Sequence, residues 1–407
     1  MTETPRVAHL ISHPIQYYAP LYRELAMRGN IDLTVFFRSD QGLVGRVDPG
    51  FGTAVAWDIP LLEGYRSRFL CGSSNQRSAV ALSPAGLDIV AHLAHGRYDV
   101  LWVHGYSHLV NQVAILAAKM LAIPVLLRDD AHLLDRRPPL KRAAKACLLK
   151  PMMKLVAGAL YVGTENRVYY QHYGLRSHRL FPAPHVVDNA YFQHEARRLV
   201  SGRANLRQQF GFTSDQTVFA FVGKLVPKKA PLDLVKAFAM VQKSHQCGLL
   251  IAGDGPLRGQ VEQEISDRGV SSVTITGFLN QSQISTAYAA ADVLVLPSIY
   301  GETWGLVVNE AMNCGLPVIA SNKVGSATDL VEPGGNGFTF PAGDVDGLAA
   351  AMITLACDAS LRAGMGERSR EIIETQTIPI LAAAIEDACY KVARHAPLAG
   401  VASRQRD

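Results

Sequence analysis

Two glutamates, Glu302 and Glu310, stand eight positions apart around the step Trp304-Gly305. They follow the apolar run Val293-Leu294-Val295-Leu296-Pro297, which reads as a buried strand. From Gly305 onward the chain carries helix formers, so the pattern predicts a helix start there. A strand, a short loop and a helix make a seat for a phosphate or diphosphate, because the first N–H groups of a helix have no intrahelical partner and its dipole favours an anion. Glu302 falls in the loop at the mouth of that seat, and Glu310 about a turn and a half of helix further in. One carboxylate can then accept a hydroxyl on one side of a phosphate and the other a hydroxyl on the far side, the layout a sugar nucleotide needs. The alternative, two surface glutamates favoured by the dipole at a helix entry, leaves the position of Glu310 unexplained.

Other groups able to do chemistry lie upstream. Lys224 and Lys229, five positions apart, follow the apolar run 218–222 and could meet phosphate charge. The plain alternative is a solvated basic loop, which is how Lys228 reads. Gly253-Asp254-Gly255 is not a dinucleotide fingerprint, since the next glycine falls at Gly259; it reads as a tight strand-to-helix turn. Ser12-His13-Pro14-Ile15-Gln16-Tyr17-Tyr18 occupies the loop after the first apolar run, where open α/β sheets place ligands. His13 could position an acceptor or a phosphate, or equally be a capping or packing histidine; His104 and His108 are similar candidates. In Leu127-Arg128-Asp129-Asp130-Ala131-His132, Asp130 or His132 could orient an attacking hydroxyl, unless the aspartates are helix caps. Asp344-Val345-Asp346 has the letters of a metal-binding pair but reads as polar loop beyond the site, so no metal is expected.

These residues need a scaffold. A chain of 407 residues exceeds the size at which one core keeps growing, so two domains are expected. With 48% hydrophobic and 18% charged residues there is material for two cores. A net charge of +5 is modest for this length and argues against a general nucleic-acid binder. The six cysteines (Cys71, Cys147, Cys247, Cys314, Cys357 and Cys389) are scattered without a C-x-x-C pair or a histidine cluster, which reads as reduced, buried thiols in a cytoplasmic protein with no zinc site. The N-terminus lacks the apolar core of a signal peptide, and no apolar stretch is long enough to span a bilayer.

Along the chain, apolar runs at 7–11, 31–37, 100–103 and 124–127 alternate with helical patterns at 19–28 and 111–121. A second alternation has runs at 218–222, 248–252, 273–276, 293–296 and 318–320, between helices at 204–210, 231–242, 257–268 and 281–290. Strands alternating with helices imply parallel, doubly wound α/β sheets. Residues 40–76 read as mostly loop, 182–195 as a hinge, and 396–407 as a frayed tail.

The sequence now resembles a known family. Glu302 and Glu310 followed by Ala311-Met312-Asn313-Cys314-Gly315-Leu316-Pro317-Val318-Ile319-Ala320 look like the donor-binding signature of family 4 retaining glycosyltransferases of the GT-B fold. Phe221-Val222-Gly223-Lys224 through Lys229, Ile251-Ala252-Gly253-Asp254-Gly255-Pro256, Ala291-Asp292 through Ser298, and Val324-Gly325-Ser326 through Gly337-Phe338 continue the likeness. It is strong over the C-terminal half and present only in outline before it. It implies two Rossmann-like domains facing across a cleft: 1–190 on the acceptor side, 191–378 for the donor, and 379–407 holding a helix at 380–394 that crosses back to the first domain. It implies that Lys224 and Lys229 meet the donor diphosphate, although Lys stands where the family usually has Arg and Ala230 where it usually has Gly. It further implies that Glu302 faces the donor sugar and Glu310 the ribose, that amides of Gly305, Leu306 and Val307 contact phosphate, and that the base lies near Phe278 and Leu279, unless Phe278 is core. A histidine near the reacting sugar is common in the family, which bears on Asp130 and His132. Retention of configuration without a metal or other cofactor is implied, by front-face attack in which the leaving phosphate takes the acceptor proton.

One further run has no place in that site. Arg136, Arg137, Lys141, Arg142, Lys145, Lys150 and Lys154, interleaved with leucines and methionines and without an acid, suit either an anionic membrane surface or an ordinary solvated helix face. The expected partners are therefore a nucleotide-sugar donor, a glycan or lipid-linked acceptor and an anionic membrane surface through 136–155, with no nucleic acid. Polysaccharide or glycolipid assembly is the corresponding role, in the cytoplasm or on the inner face of the membrane. Two alternatives stay open: a GT-B sugar-nucleotide epimerase, and a non-catalytic sugar-nucleotide-binding partner of another transferase.

Overall fold

The computed structural model describes residues 4–48, 50–52, 54–71, 84–135 and 138–394. Its first half holds β1 (Arg6–Ile11), β2 (Asp32–Phe37), β3 (Arg46–Val47), β4 (Ala54–Val55), β5 (Ser67–Phe69), β6 (Val100–His104), β7 (Val125–Arg128), β8 (Gly158–Tyr161) and β9 (Leu180–Pro182). Its second half holds β10 (Thr217–Val222), β11 (Cys247–Ala252), β12 (Val273–Gly277), β13 (Val293–Leu296), β14 (Val318–Ser321) and β15 (Gly337–Phe340). Two parallel sheets result, ordered β5-β2-β1-β6-β7-β8-β9 and β12-β11-β10-β13-β14-β15. The alternation of apolar runs and helical patterns thus marks two Rossmann-like units.

The apolar runs are unbroken because both faces of each sheet are covered. Successive side chains point to opposite faces. On β10, Val218, Ala220 and Val222 enter one core with Leu294, while Phe219 and Phe221 enter the other with Val293 and Phe238. On β1, Ala8 and Leu10 divide from Val7 and Ile11 in the same way. In each sheet the strand order reverses beside one strand, between β1 and β6 and between β10 and β13. A crevice opens at the carboxyl ends of the strands there, and the loops that follow them carry ligands.

The closing helix Ile378–Arg394 lays Leu381, Ile385, Cys389 and Val392 into the core under β1 and β2. Glu386 on this helix accepts both Nε and Nη2 of Arg28 at 2.9 Å and Nδ2 of Asn30 at 3.0 Å. Asn189 Nδ2 donates to the carbonyl of Ile373 at 3.0 Å, joining the helix after β9 to the second unit.

Several expectations need correction. Cys71, Cys147 and Cys357 are exposed, not buried. The described residues of 40–76 are mostly loop, as expected, but they carry three short strands: β5 pairs in parallel with β2 at the sheet edge, and β3 and β4 form a small antiparallel ladder. Asp344 is not in a polar loop but caps the helix Val345–Cys357, accepting the amide of Gly347 at 2.9 Å. The segment read as a hinge runs into the helix Asn189–Leu199, whose first turn is capped by Asp188. Arg136, Arg137 and the tail 396–407 lie outside the described residues. The remainder of the basic run is the helix Pro139–Leu155, with Leu149, Met152 and Met153 buried and Leu140 and Leu148 exposed at 83% and 60%. Among the described residues no single helix is long and apolar enough to cross a membrane.

Candidate active site

The loop after β10 is held tightly against the loop after β11. A side chain at Gly253 would fall 1.8 Å from the carbonyl oxygen of Gly223, so the two backbones pass where only glycine fits. Leu225 N donates to Asp254 O at 2.8 Å, and the turn Pro227–Lys229 then ends on Ala230 at φ 48°, a left-handed position that strains any residue with a Cβ. That turn aims Lys229 inward, where it is 8% exposed. Its ammonium lies 2.5 Å from Oε2 of Glu302, which also accepts the Ser298 hydroxyl at 3.0 Å. Burial opposes the charge on Glu302, but Lys229, with Lys228 and Ser298, outweighs it and holds the carboxyl below its ordinary range. Lys228 is not a solvated bystander: its ammonium reaches Gly301 O at 3.2 Å and its carbonyl accepts Ile299 N at 2.8 Å.

Gly305 precedes the helix instead of starting it. Its φ is +90°, a side chain there would come 2.8 Å from Leu296, and the helix runs Val307–Asn313. Among the described residues the amides of Gly305, Leu306 and Val307 donate to no backbone carbonyl. Glu310 lies one and a half turns further in and is 3% exposed. Its Oε1 accepts the Tyr17 hydroxyl at 2.8 Å and its Oε2 the Tyr288 hydroxyl at 2.6 Å. Desolvation pushes its carboxyl up to about 7 despite those two donors. Trp304 is anchored by Asn309, its Nε1 donating at 2.9 Å, and its ring abuts Gly163 of the first unit, where a Cβ would strike it at 2.4 Å.

The first unit meets this constellation from the opposite side of the cleft. Asp130 accepts the hydroxyl of Thr303 at 2.8 Å, and Asp135 accepts the amide of Gly301 at 3.0 Å, so the loop after β7 grips the two neighbours of Glu302. His132 turns Nδ1 to the amide of Leu134 at 3.2 Å, leaving Nε2 buried without a partner among the described residues. Asp129, the neighbour of Asp130, is pushed up to about 7 by burial and then by the Asp130 carboxylate. His13 bonds Ser12 at 2.9 Å and is pushed down to about 4 by burial and by Arg38. His104 is pushed down to about 3 by burial, then Arg128, His13 and Arg38, and its Nδ1 is buried and bonds nothing among the described residues. His108 is likewise lowered, by burial and Arg38. The first unit's side of the cleft therefore carries neutral imidazoles around the guanidiniums of Arg38 and Arg128.

Glu302, Lys229, Glu310, Gly305, Leu306, Val307 and Asp130 come together. Lys224 does not pair with Glu302 as Lys229 does; it lies 2.7 Å from Asp48 and over the ring of Phe51 at 4.8 Å. Phe278 belongs to no core; it and Leu279 line a cavity of about 110 Å³ together with Val307, Glu310, Tyr17 and Phe51. A larger cavity, about 590 Å³, opens at the far ends of the first sheet around Lys119, Lys154 and Phe181, remote from these groups. Tyr17, Tyr288, Ser298, Thr303, Asp48 and Arg38 were not singled out from the sequence. Tyr17 was legible only as part of the loop after β1, and Asp48 carried no local signal.

The family model for glycosyl transferases group 1 matches residues 202–372. Over 297 residues the chain is 30% identical to a D-inositol 3-phosphate glycosyltransferase of Kribbella flavida, an alignment covering 68% of this chain and 67% of that one. It is 33% identical over 169 residues to alpha-D-kanosaminyltransferase of Streptomyces kanamyceticus, covering 41% of this chain and 43% of that one. The chain spans 43% of that relative's length and 56% of a sulfoquinovosyl transferase of Arabidopsis thaliana, about half of each. Among solved structures, Anabaena HepE in complex with UDP and glucose superposes with a TM-score of 0.70 at 19% identity, over 95% of this chain and 100% of that one, a likeness of fold.

Proposed function

The chain belongs to the glycosyl transferases group 1 family, and from that premise we propose that it transfers a sugar from a nucleoside diphosphate sugar to an acceptor hydroxyl, with retention and without a required metal. The observation that carries this reading is the Lys229–Glu302 pair, 2.5 Å apart and buried, beside the unbonded amides of Gly305 and Leu306. A phosphate entering there meets a cation and two N–H donors, and charge developing on the leaving diphosphate strengthens those contacts. Lys229 is then shared between phosphate and Glu302, so the carboxylate becomes freer to face the sugar as positive charge builds at its anomeric carbon. Glu310 accepts ribose hydroxyls. The leaving phosphate takes the acceptor proton on the same face, with Asp130 or His132 orienting the acceptor oxygen. Closure of the cleft excludes the water that would otherwise hydrolyse the donor.

The domain limits that fit this reading are 1–190, 191–378 and 379–407. The acceptor is a glycan or a lipid-linked glycan, in polysaccharide or glycolipid assembly. Support for a membrane surface comes from the exposed Lys141, Arg142, Lys150 and Lys154 beside Leu140 and Leu148 on one helix. A cytoplasmic protein peripheral to the inner face of the membrane is the corresponding location.

The test is a donor screen with UDP-, GDP- and ADP-sugars, reading thermal stabilisation and slow donor hydrolysis beside Glu302→Ala and Lys229→Ala. Stabilisation by one nucleotide class, with hydrolysis lost in both variants, supports the proposal. Binding of no donor points to a non-catalytic partner, and isomerisation of the donor without nucleotide release points to an epimerase.

A further inference from the structure

Asp48, residues 50–52 and residues 54–58 belong in sequence to the first unit, yet their contacts run to the second. Asp48 holds Lys224 at 2.7 Å while accepting the amides of Gly50 and Phe51 at 2.7 and 3.1 Å. Phe51 lies edge-on to Phe278 with ring centroids 4.8 Å apart, and Trp57 meets the same ring at 6.0 Å. Asn280 Nδ2 donates to the carbonyl of Ala56 at 2.7 Å, and Asp58 accepts the amide and the hydroxyl of Ser282. The fit is close at its start: a side chain at Gly50 would strike Lys224 at 2.5 Å, and one at Gly255 would strike the carbonyl of Gly50 at 2.9 Å. The other end returns to its own unit, where Trp57 N bonds Gly42 O at 3.1 Å.

Beneath this segment lies the cavity of about 110 Å³, walled by Phe51 and Trp57 on one side and by Phe278, Leu279 and Ile284 on the other, with Glu310 at its edge. Four aromatic rings, those of Tyr17, Phe51, Trp57 and Phe278, around a small space with a carboxylate at the rim suit a flat heterocycle carrying a ribose.

Resting on the proposed function, we infer that residues 50–52 and 54–58, pinned by Asp48, form a clasp that completes the nucleobase pocket, so that Phe51 and Trp57 of the acceptor-side unit recognise the donor's base. Base recognition then depends on both units. A nucleotide is gripped fully only when the cleft is closed, which ties donor affinity to the state that excludes water. Lys224 serves two purposes: its ammonium has three donors, and Asp48 and the Phe51 ring leave capacity for a phosphate. Lysine in place of the family's usual arginine fits that compact double duty.

The experiment compares two probes by isothermal titration calorimetry. UDP, GDP and ADP report the base and diphosphate sites together; inorganic pyrophosphate reports the diphosphate site alone. Phe51→Ala and Trp57→Ala are expected to weaken the preferred nucleoside diphosphate roughly tenfold or more, the size of a lost base stack, with pyrophosphate affinity unchanged. Asp58→Ala, which lies outside the pocket and only pins the segment to Ser282, is expected to act in the same direction more weakly. Equal weakening of both probes, or no change in either, overturns the inference while leaving the proposed donor site standing. If the unsubstituted protein binds neither probe, the proposed function itself falls and the clasp with it.

Discussion

The hydroxyl of Tyr17 donates to Oε1 of Glu310 at 2.8 Å, a bond between positions 293 residues apart. It brings the loop after β1 against a buried carboxylate of the second unit, so the proposed ribose end of the site is built by both halves of the chain. Glu310 pays for that depth in acidity: burial raises it to about 7, against an ordinary 4.5.

That shift has a sign. A carboxyl whose folded pKa lies above its unfolded value keeps its proton longer when folded, so stability falls as pH rises from about 4.5 to about 7 and stays low above it. The cost at pH 8 is roughly 3 kcal/mol at the usual conversion. Glu310→Gln is therefore expected to unfold at a higher temperature than the parent at pH 8 and at nearly the same temperature at pH 5, by calorimetry. The same variant is expected to raise the donor KM, because an amide accepts ribose hydroxyls through one oxygen only. An unchanged melting difference between the two pH values contradicts the assignment.

Lys229 and Glu302 make the opposite case. Glu302 is held below 4.5, so its contribution is present at neutral pH and is lost as pH falls through its depressed folded value. Removing one member leaves a buried charge alone, so Lys229→Met is expected to destabilise by about 3 kcal/mol and to abolish turnover. Lys229→Met with Glu302→Gln is expected to recover much of the stability and none of the activity. A denaturant double-mutant cycle reads the coupling directly; a coupling near zero argues against a functional pair.

Gly305 supplies a third test. At φ +90°, with Leu296 2.8 Å and Val324 3.3 Å from the place a Cβ would occupy, Gly305→Ala is both strained and crowded. A loss of roughly 2–3 kcal/mol is expected, together with a larger loss of nucleotide affinity than of stability if the amides of this turn hold the phosphate as proposed. Gly343→Ala, at φ +83° but in open space, gives the strain without the site and serves as the control.

What could be read in advance follows from how local each signal is. The strands β10, β11 and β13 were plain because both faces are buried and the runs are wholly apolar. The helix Gln281–Ala290 was found at its ends because Asn280 and Gln283 form a capping box ahead of it, and Pro231 opens the helix Pro231–Gln242. By contrast β5 is three residues with partly exposed side chains, too short for a pattern. The helix start was misplaced because a glycine at positive φ looks, in letters, like any small residue. Tyr17, Asp48, Phe51 and Trp57 act across 176 or more positions of chain, and no spacing encodes that.

The grip of Asp130 on Thr303, at 2.8 Å, lets the acceptor-side loop set the position of the segment bearing Glu302. Thr303→Val keeps the shape and removes the donor. It is expected to lower kcat several-fold with little change in nucleotide affinity, since the bond touches neither base nor phosphate. Loss of nucleotide binding in step with kcat contradicts this.

The basic helix Pro139–Leu155 yields the last test. Lys145 is occupied elsewhere, its ammonium 4.8 Å over the Tyr169 ring, so the membrane reading rests on Lys141, Arg142, Lys150 and Lys154 with Leu140 and Leu148. Basic residues near an anionic surface contribute about 1 kcal/mol each, attenuated by salt over about 10 Å at 0.1 M. Co-sedimentation with phosphatidylglycerol vesicles is therefore expected at low salt, to fade by a few hundred millimolar, and to be absent with neutral phosphatidylcholine. Lys141→Glu with Arg142→Glu is expected to abolish it, and Leu140→Gln with Leu148→Gln to weaken it at every salt concentration, because the apolar share is not screened. Turnover of a soluble acceptor should be unchanged in both variants, as all four side chains are exposed. Vesicle binding that ignores these substitutions assigns the helix to ordinary solvation, and a membrane-presented acceptor then loses its support.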